Sequence, residues 1–257
     1  MSIEKIIVAM KDTAVDVQPG VGRKRVGILY PSSGVSEYEF QKLLPQRVSL
    51  HVTRIPMKMP TYEAELHMAD AVEEASKLLA DARVDIIAFA CTAGSFIKGR
   101  GYDQEIVDRI VQATGLPATT MTTAVVAGLR ALGMKKLVLL SPYAEQMNEL
   151  QKAFLEDTGF EILRHRGLGL GDCLQQYEME PPHWYKLIKE MQHPQADGYL
   201  ISCGGIRVVD IIEQAEIALG KPVITSNQAL VWHCLRKIGI QEDVKGCGIL
   251  LRTPLEM

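Results

Sequence analysis

The sequence has no long apolar run, no CxxC pair and no surplus of either charge. Its longest apolar stretch near the N-terminus, Ile6 to Met10, runs straight into Lys11 and Asp12 and is too short for a signal-peptide core or a membrane span. A cytoplasmic protein without a membrane partner is expected. With 28 Lys+Arg against 31 Asp+Glu, the net charge of -3 gives no basic surplus for nucleic acid. The 5 cysteines are odd in number and irregularly spaced, which excludes a secreted disulfide framework and points to reduced thiols. Nucleotide and metal motifs are missing too. There is no phosphate loop, no HExxH and no paired His/Cys spacing. Gly167-Leu-Gly-Leu-Gly-Asp172 is no GxGxxG, because its third glycine follows two residues after the second. No cofactor and no metal are indicated.

What is present is a chain of 257 residues, 47% apolar, long enough to bury a sizeable core. From Lys24 onward, short β-branched runs alternate with longer helical stretches, the pattern of βα units feeding a parallel sheet, so the fold class is α/β. Strands are expected at Arg25-Tyr30, Ser49-Arg54, Asp85-Ala90, Ala118-Met121, Lys136-Ser141, Phe160-Arg164, Asp197-Ser202, Val223-Thr225 and a terminal Cys247-Leu251. Helices are expected within Glu63-Asp81, Tyr102-Thr114, Ala144-Thr158 and Val209-Leu219. Residues 1–23 carry the turn cluster Pro19-Gly-Val-Gly22 and no clear period, as in a loosely attached arm or an oligomer contact, which leaves a homo-oligomer open.

An internal repeat sharpens this. Val26-Gly-Ile-Leu-Tyr-Pro31 resembles Leu137-Val-Leu-Leu-Ser-Pro142, and Asp85-Ile-Ile-Ala-Phe-Ala-Cys91 resembles Asp197-Gly-Tyr-Leu-Ile-Ser-Cys203. Thr114-Gly-Leu-Pro117 and a helix ending at Gly133 resemble Leu219-Gly-Lys-Pro222 and a helix ending at Gly239. Matched landmarks in the same order imply two similar halves. One half spans 24–115 plus part of the C-terminal region and carries Cys91; the other spans 116–257 and carries Cys203, with the boundary approximate.

Cys91 and Cys203 thus fall at equivalent strand ends, where ligands bind in open α/β sheets. The residues after them, Thr92-Ala-Gly-Ser95 and Gly204-Gly205, are small and let backbone N–H groups approach an anion. A thiol held there is expected to have a lowered pKa, as an acid/base or nucleophile needs. Cys234 and Cys247 read as core packing. Cys173 follows the Gly167–Asp172 loop and is compatible with either a core or a site role. The six histidines are scattered and read as solvated surface, with His51 and His165 at equivalent second-strand positions.

Together, Pro31-Ser-Ser-Gly34, Cys91-Thr-Ala-Gly-Ser-Phe96, Ser141-Pro-Tyr143, Gly167-Leu-Gly-Leu-Gly-Asp172, Ser202-Cys-Gly-Gly205 and Leu219-Gly-Lys-Pro-Val-Ile-Thr-Ser-Asn-Gln-Ala229 resemble the aspartate/glutamate racemase superfamily, over about Arg25 to Arg252. Within it they look like the branch of arylmalonate decarboxylase and maleate cis-trans isomerase. The resemblance implies two pseudo-symmetric Rossmann-like halves, each a short parallel sheet flanked by helices, with a cofactor-free site in the cleft between them. Maleate isomerases carry asparagines where this chain has Gly34 and Cys173, and the decarboxylase carries glycine where it has Cys91.

The chemistry common to the superfamily passes through an enediolate, whose charge must be held by preorganised donors. The hydroxyls of Ser32, Ser33, Thr92 and Tyr143 and the backbone N–H groups of Ala93, Gly204 and Gly205 are suitable groups. Two thiols on opposite faces of the reacting carbon then act as base and acid, giving a racemase or isomerase of a small carboxylate. In another version Cys91 adds to an alkene and permits bond rotation. The alternatives are a decarboxylase with Cys203 as proton donor and a non-catalytic binder of small acids.

Overall fold

The computed structural model describes residues 23–255, so the expected N-terminal arm lies, but for Arg23, outside the described residues. The first sheet contains β1 (Lys24–Pro31), β2 (Val48–Ile55), β3 (Ile86–Phe89) and β4 (Ala118–Thr120). The second contains β5 (Lys136–Ser141), β6 (Glu161–Gly167), β7 (Gly198–Ile201) and β8 (Val223–Thr225). Both are parallel, with orders β2-β1-β3-β4 and β6-β5-β7-β8, so the fold is α/β and duplicated, as expected. The inner strands β3 and β7 are buried along their whole length, whereas the edge strands β2 and β6 alternate between cover and exposure. Continuous apolar runs belong to strands covered on both faces.

The repeated sequence landmarks have repeated structural roles. Asp85 accepts from the Arg25 backbone N–H at 2.7 Å, and Asp197 accepts from that of Lys136 at 2.7 Å, so each aspartate ties the start of its inner strand to the neighbouring first strand. Helix α5 (Tyr102–Thr114) and helix α10 (Ile212–Leu219) both end on a left-handed glycine, Gly115 at φ 70° and Gly220 at φ 63°. The prolines that follow return the chain to the same sheet: Ile87 N–H donates to Pro117 O and Tyr199 N–H to Pro222 O, each at 3.0 Å. The first sheet therefore extends through β4 to Thr120, past the division expected near residue 115, because that glycine turn leads back to β3.

The halves are joined by helix α6 (Met121–Ala131) and helix α11 (Ser226–Lys237), which follow β4 and β8 and pack on each other. Each starts on a threonine cap: Thr120 accepts from Thr123 N–H, and Thr225 from Gln228 N–H, with the Gln228 side chain closing a capping box. Helix α1 (Glu37–Leu43) adds a second clasp, since the buried Glu39 carboxylate accepts the backbone N–H groups of Val208 and Val209 in the other half.

Two expectations fail here. The terminal segment Cys247–Leu251 is no strand; Gly246 and Gly248 take positive φ, and a 3-10 turn follows at Leu250–Arg252. Side chains of α11 take carbonyls there instead: Gln228 Nε2 donates to Cys247 O at 2.6 Å and Arg236 to Leu251 O at 2.5 Å, and just beyond the segment Arg236 and Trp232 Nε1 donate to Thr253 O at 2.9 and 2.8 Å. A buried guanidinium thus replaces a neighbouring strand as hydrogen-bond partner. His233, read as solvated, is only 6% exposed and sits 2.8 Å from Thr119 Oγ1, because α11 is covered on every side.

Burial lowers the pKa of His233 to about 4, with Lys237 pushing the same way. Between pH 4 and the ordinary histidine value near 6.5 the unfolded chain binds the extra proton, so this group costs stability as pH falls through that window. Replacing His233 by Gln removes the titration. Thermal melts at pH 7.5 and pH 5 are expected to show a larger loss on acidification in the wild type than in His233→Gln; equal losses would refute the assignment.

Candidate active site

The carboxyl ends of β1, β3, β5 and β7 converge on a narrow inner cleft of about 30 Å³ and a wider outer cavity of about 210 Å³. Cys91, Cys203, Thr92, Gly204 and Gly205 line the inner cleft, Ala93 lines the outer cavity, and Tyr143 lines both. Pro60, Glu65 and Gln176 also line both. The cleft forms because β3 and β7 each end two residues before their cysteine, leaving each thiol beyond the last rung of its sheet.

The two thiols are held alike. Cys91 caps helix α4 (Thr92–Phe96), and its sulfur accepts the Gly94 N–H at 3.4 Å. The Cys203 sulfur accepts the Gly205 N–H at 3.2 Å. Each thiol also faces a side chain from a short helix after the second strand of its own half. Cys91 Sγ donates to Glu65 Oε2 at 3.0 Å, from helix α2 (Tyr62–His67). Cys203 Sγ donates to Gln176 Oε1 at 3.4 Å, from helix α8 (Cys173–Glu178). The Gln176 amide nitrogen donates to Leu170 O, which turns its oxygen toward the thiol. Glu65 and Gln176 are as far apart in sequence as Pro31 and Pro142, so they occupy matched places in the repeat. One is a carboxylic acid and the other its neutral amide.

The electrostatics correct one expectation: the thiols are not acidified. Burial pushes Cys91 well above the ordinary thiol value, and the Glu65 carboxylate pushes it further. Burial raises Cys203 to about 12, despite the Gly205 N–H and a hydrogen bond from Tyr143. One backbone donor per sulfur is too little to offset the lost hydration of a thiolate. Both thiols therefore rest protonated near neutral pH. Burial raises Glu65 to about 7, while hydrogen bonds from Cys91 and the Gly94 backbone pull it down. Burial also raises Tyr143 far above its usual value, so its hydroxyl stays a donor.

The remaining candidates divide. Ser32 is not in the cleft lining; its hydroxyl accepts the Met57 N–H at 2.9 Å and donates to Met57 O, strapping β1 to the end of β2. Ser33 is also outside the lining but reaches Cys173, with Oγ 3.3 Å from Sγ, and Cys173 itself lines the inner cleft. The Thr92 hydroxyl is directed at Met121 Sδ, 2.9 Å away. Cys234 and Cys247 are buried among core side chains, as expected.

Tyr30, Glu65 and Gln176 were not singled out by sequence. The Tyr30 hydroxyl donates to Gly204 O at 3.1 Å, and Ser36 Oγ donates to the same oxygen at 2.5 Å, so two hydroxyls of one half fix the glycine pair of the other. The Tyr30 ring leaves no side-chain room at Gly34, where a Cβ would lie 2.5 Å from the ring.

The two cavities contain no lysine, arginine or histidine among their lining residues. Glu145, Glu149 and His165 bring potential metal ligands within 4.8 Å of one another, but none of the three lines the cleft. The ring nitrogens of His165 are already in contact with Asn148 and Glu149. Among the described residues, no helix is long and apolar enough to cross a membrane.

Proteins similar to this chain include maleate isomerases and arylmalonate decarboxylase. The structure of a cysteine-to-alanine variant of maleate isomerase from Pseudomonas putida S16 with maleate is 28% identical, with a TM-score of 0.86, covering 90% of this chain and 98% of that one. The Nocardia farcinica maleate cis-trans isomerase, as a cysteine-to-serine variant with a covalently bound succinylcysteine intermediate, is 25% identical with a TM-score of 0.85, covering 90% of this chain and 99% of that one. Arylmalonate decarboxylase of Bordetella bronchiseptica is 28% identical over 82% of this chain and 89% of its own length. The family described as arylmalonate decarboxylase matches residues 26–251, and the chain belongs to that family.

Proposed function

We propose that this chain is a cofactor-independent isomerase or racemase of a small carboxylic acid, working through Cys91 and Cys203. The observation that carries the reading is the pair of thiols at mirrored strand ends lining one cleft. Abstracting or returning a proton next to a carboxylate needs a base on one face of the carbon and an acid on the other. Cys203, neutral and hydrogen-bonded to a neutral amide, suits the acid. Cys91 can pass its proton to Glu65 and act as base or nucleophile, a transfer over the 3.0 Å that separates sulfur from carboxylate. The developing enediolate is held by the Tyr143 hydroxyl and by the backbone of Gly204 and Gly205. The covalent succinylcysteine of the Nocardia farcinica enzyme supports cysteine chemistry in this family.

A second reading is decarboxylation of a malonate-type acid, with Cys203 protonating the enediolate left by loss of CO2. It is favoured by the high pKa of Cys203, which keeps the proton available, and by the kinship to arylmalonate decarboxylase.

Cys203→Ala is expected to lower turnover by about 10²–10⁴-fold, as for loss of a general acid or base, with an unchanged circular dichroism spectrum. A folded variant with wild-type turnover would remove Cys203 from the mechanism. The role of Cys91 separates the two readings. Cys91→Gly is expected to abolish isomerisation or racemisation while leaving any decarboxylation measurable; isomerisation that survives this change would contradict a two-thiol site. Products formed in D2O are expected to carry deuterium at the α-carbon. Maleate isomerised without deuterium uptake would instead show thiol addition and bond rotation.

A further inference from the structure

Among the described residues, Glu65 has no cationic partner. It is 3% exposed, lines both the inner cleft and the outer cavity, and takes hydrogen bonds from the Cys91 thiol and the Gly94 backbone. The titratable groups that feel its charge are Cys91, Cys173, Cys203 and Tyr143, all neutral acids when protonated, and none of them brings a compensating positive charge. The opposite half places uncharged Gln176 at the matched point, and two donors, the Tyr143 hydroxyl and the Gly205 N–H, hydrogen-bond Cys203 on that side. The cleft is therefore polarised, with neutral donors at one end and a carboxyl group at the other.

Resting on the small-carboxylate reading above, we propose that Glu65 sets the substrate class: a molecule with one carboxylate, held near Cys203, that turns a hydrogen-bond donor such as an amide, ammonium or hydroxyl toward Glu65. A second carboxylate at that end meets like charge in a buried setting, where repulsion is weakly screened. A donor group there adds to the Cys91 thiol and the Gly94 N–H, neither of which brings a positive charge to the buried carboxylate. Dicarboxylates such as maleate, found with one relative, are disfavoured by the same contact.

Two pairs of isosteres test this: maleate against maleamate, and malonate against malonamate. Each pair differs only by carboxylate against amide. Binding is measured by titration calorimetry at pH 8, in Cys203→Ala to prevent turnover and in the same background with Glu65→Gln. With Glu65 present, the amide of each pair is expected to bind at least about tenfold more tightly than the diacid. With Gln at this position the preference is expected to fall below about threefold. Equal affinities in the Glu65 protein, or an undiminished preference in the Gln variant, would overturn the assignment to Glu65 alone. If none of the four acids binds either protein, the small-carboxylate reading fails, and the substrate class fails with it. Should the Gln variant not fold, the preference in the Glu65 protein decides the question.

Discussion

The site depends on one constraint: two thiols and a carboxyl group are buried together with no cation beside them among the described residues. Charge in such a place is expensive, so all three groups are pushed toward their neutral forms. The resting cleft then holds two protonated thiols beside a carboxyl group that titrates at about 7 and, when ionised, can accept a proton. It becomes reactive only when a proton moves within it, and the short Cys91–Glu65 contact is the path that needs no outside base. The asymmetry of Glu65 against Gln176 makes two otherwise equivalent cysteines unequal, so the fold is duplicated while its chemistry is not.

The architecture serves this constraint. Each half alone exposes its thiol at a strand end; only the joined halves close the cleft. The joint is accordingly deeply buried, with α11 covered from Ser226 to Arg236 and Trp232 fully enclosed. Across the joint, Tyr30 and Ser36 hold Gly204, Glu39 holds Val208 and Val209, and the rings of Phe96 and Tyr143 meet at 6.4 Å. Loosening these contacts should disturb the site without touching a cysteine, since the second half's glycine pair takes its orientation from hydroxyls of the first.

The duplication and the cysteine pair were legible in the sequence because β-branched runs, strand-end prolines and glycine turns recur with their spacing intact. Lys136–Ser141, Val223–Thr225 and Tyr102–Thr114 fall where the pattern put them. Glu65 was hidden because it lies in a stretch, Glu63–Asp81, that reads as one amphipathic helix, where a glutamate is expected to face solvent. The chain instead breaks there into α2, a 3-10 turn at Met68–Ala71 and a further helix from Val72 to Asp81, and the break turns Glu65 inward. The repeat itself held the clue, since Gln176 stands at the matched position. The thiol pKa was misjudged because nearby glycines indicate backbone donors but say nothing of desolvation. The apolar run Cys247–Leu251 looks like a strand because it does not reveal that Gln228 and Arg236 claim its end carbonyls.

The central claim is that Glu65 and Cys91 share a proton and that this inequality distinguishes the two thiols. Thiolate absorbance at 240 nm, followed as a function of pH in Cys203→Ala with and without Glu65→Gln, tests it without a substrate. Replacing the carboxylate by an amide removes its negative charge, which holds Cys91 up, so the Cys91 titration is expected to move to lower pH in the Gln variant. An unchanged Cys91 titration, or one that moves to higher pH, would contradict the claim.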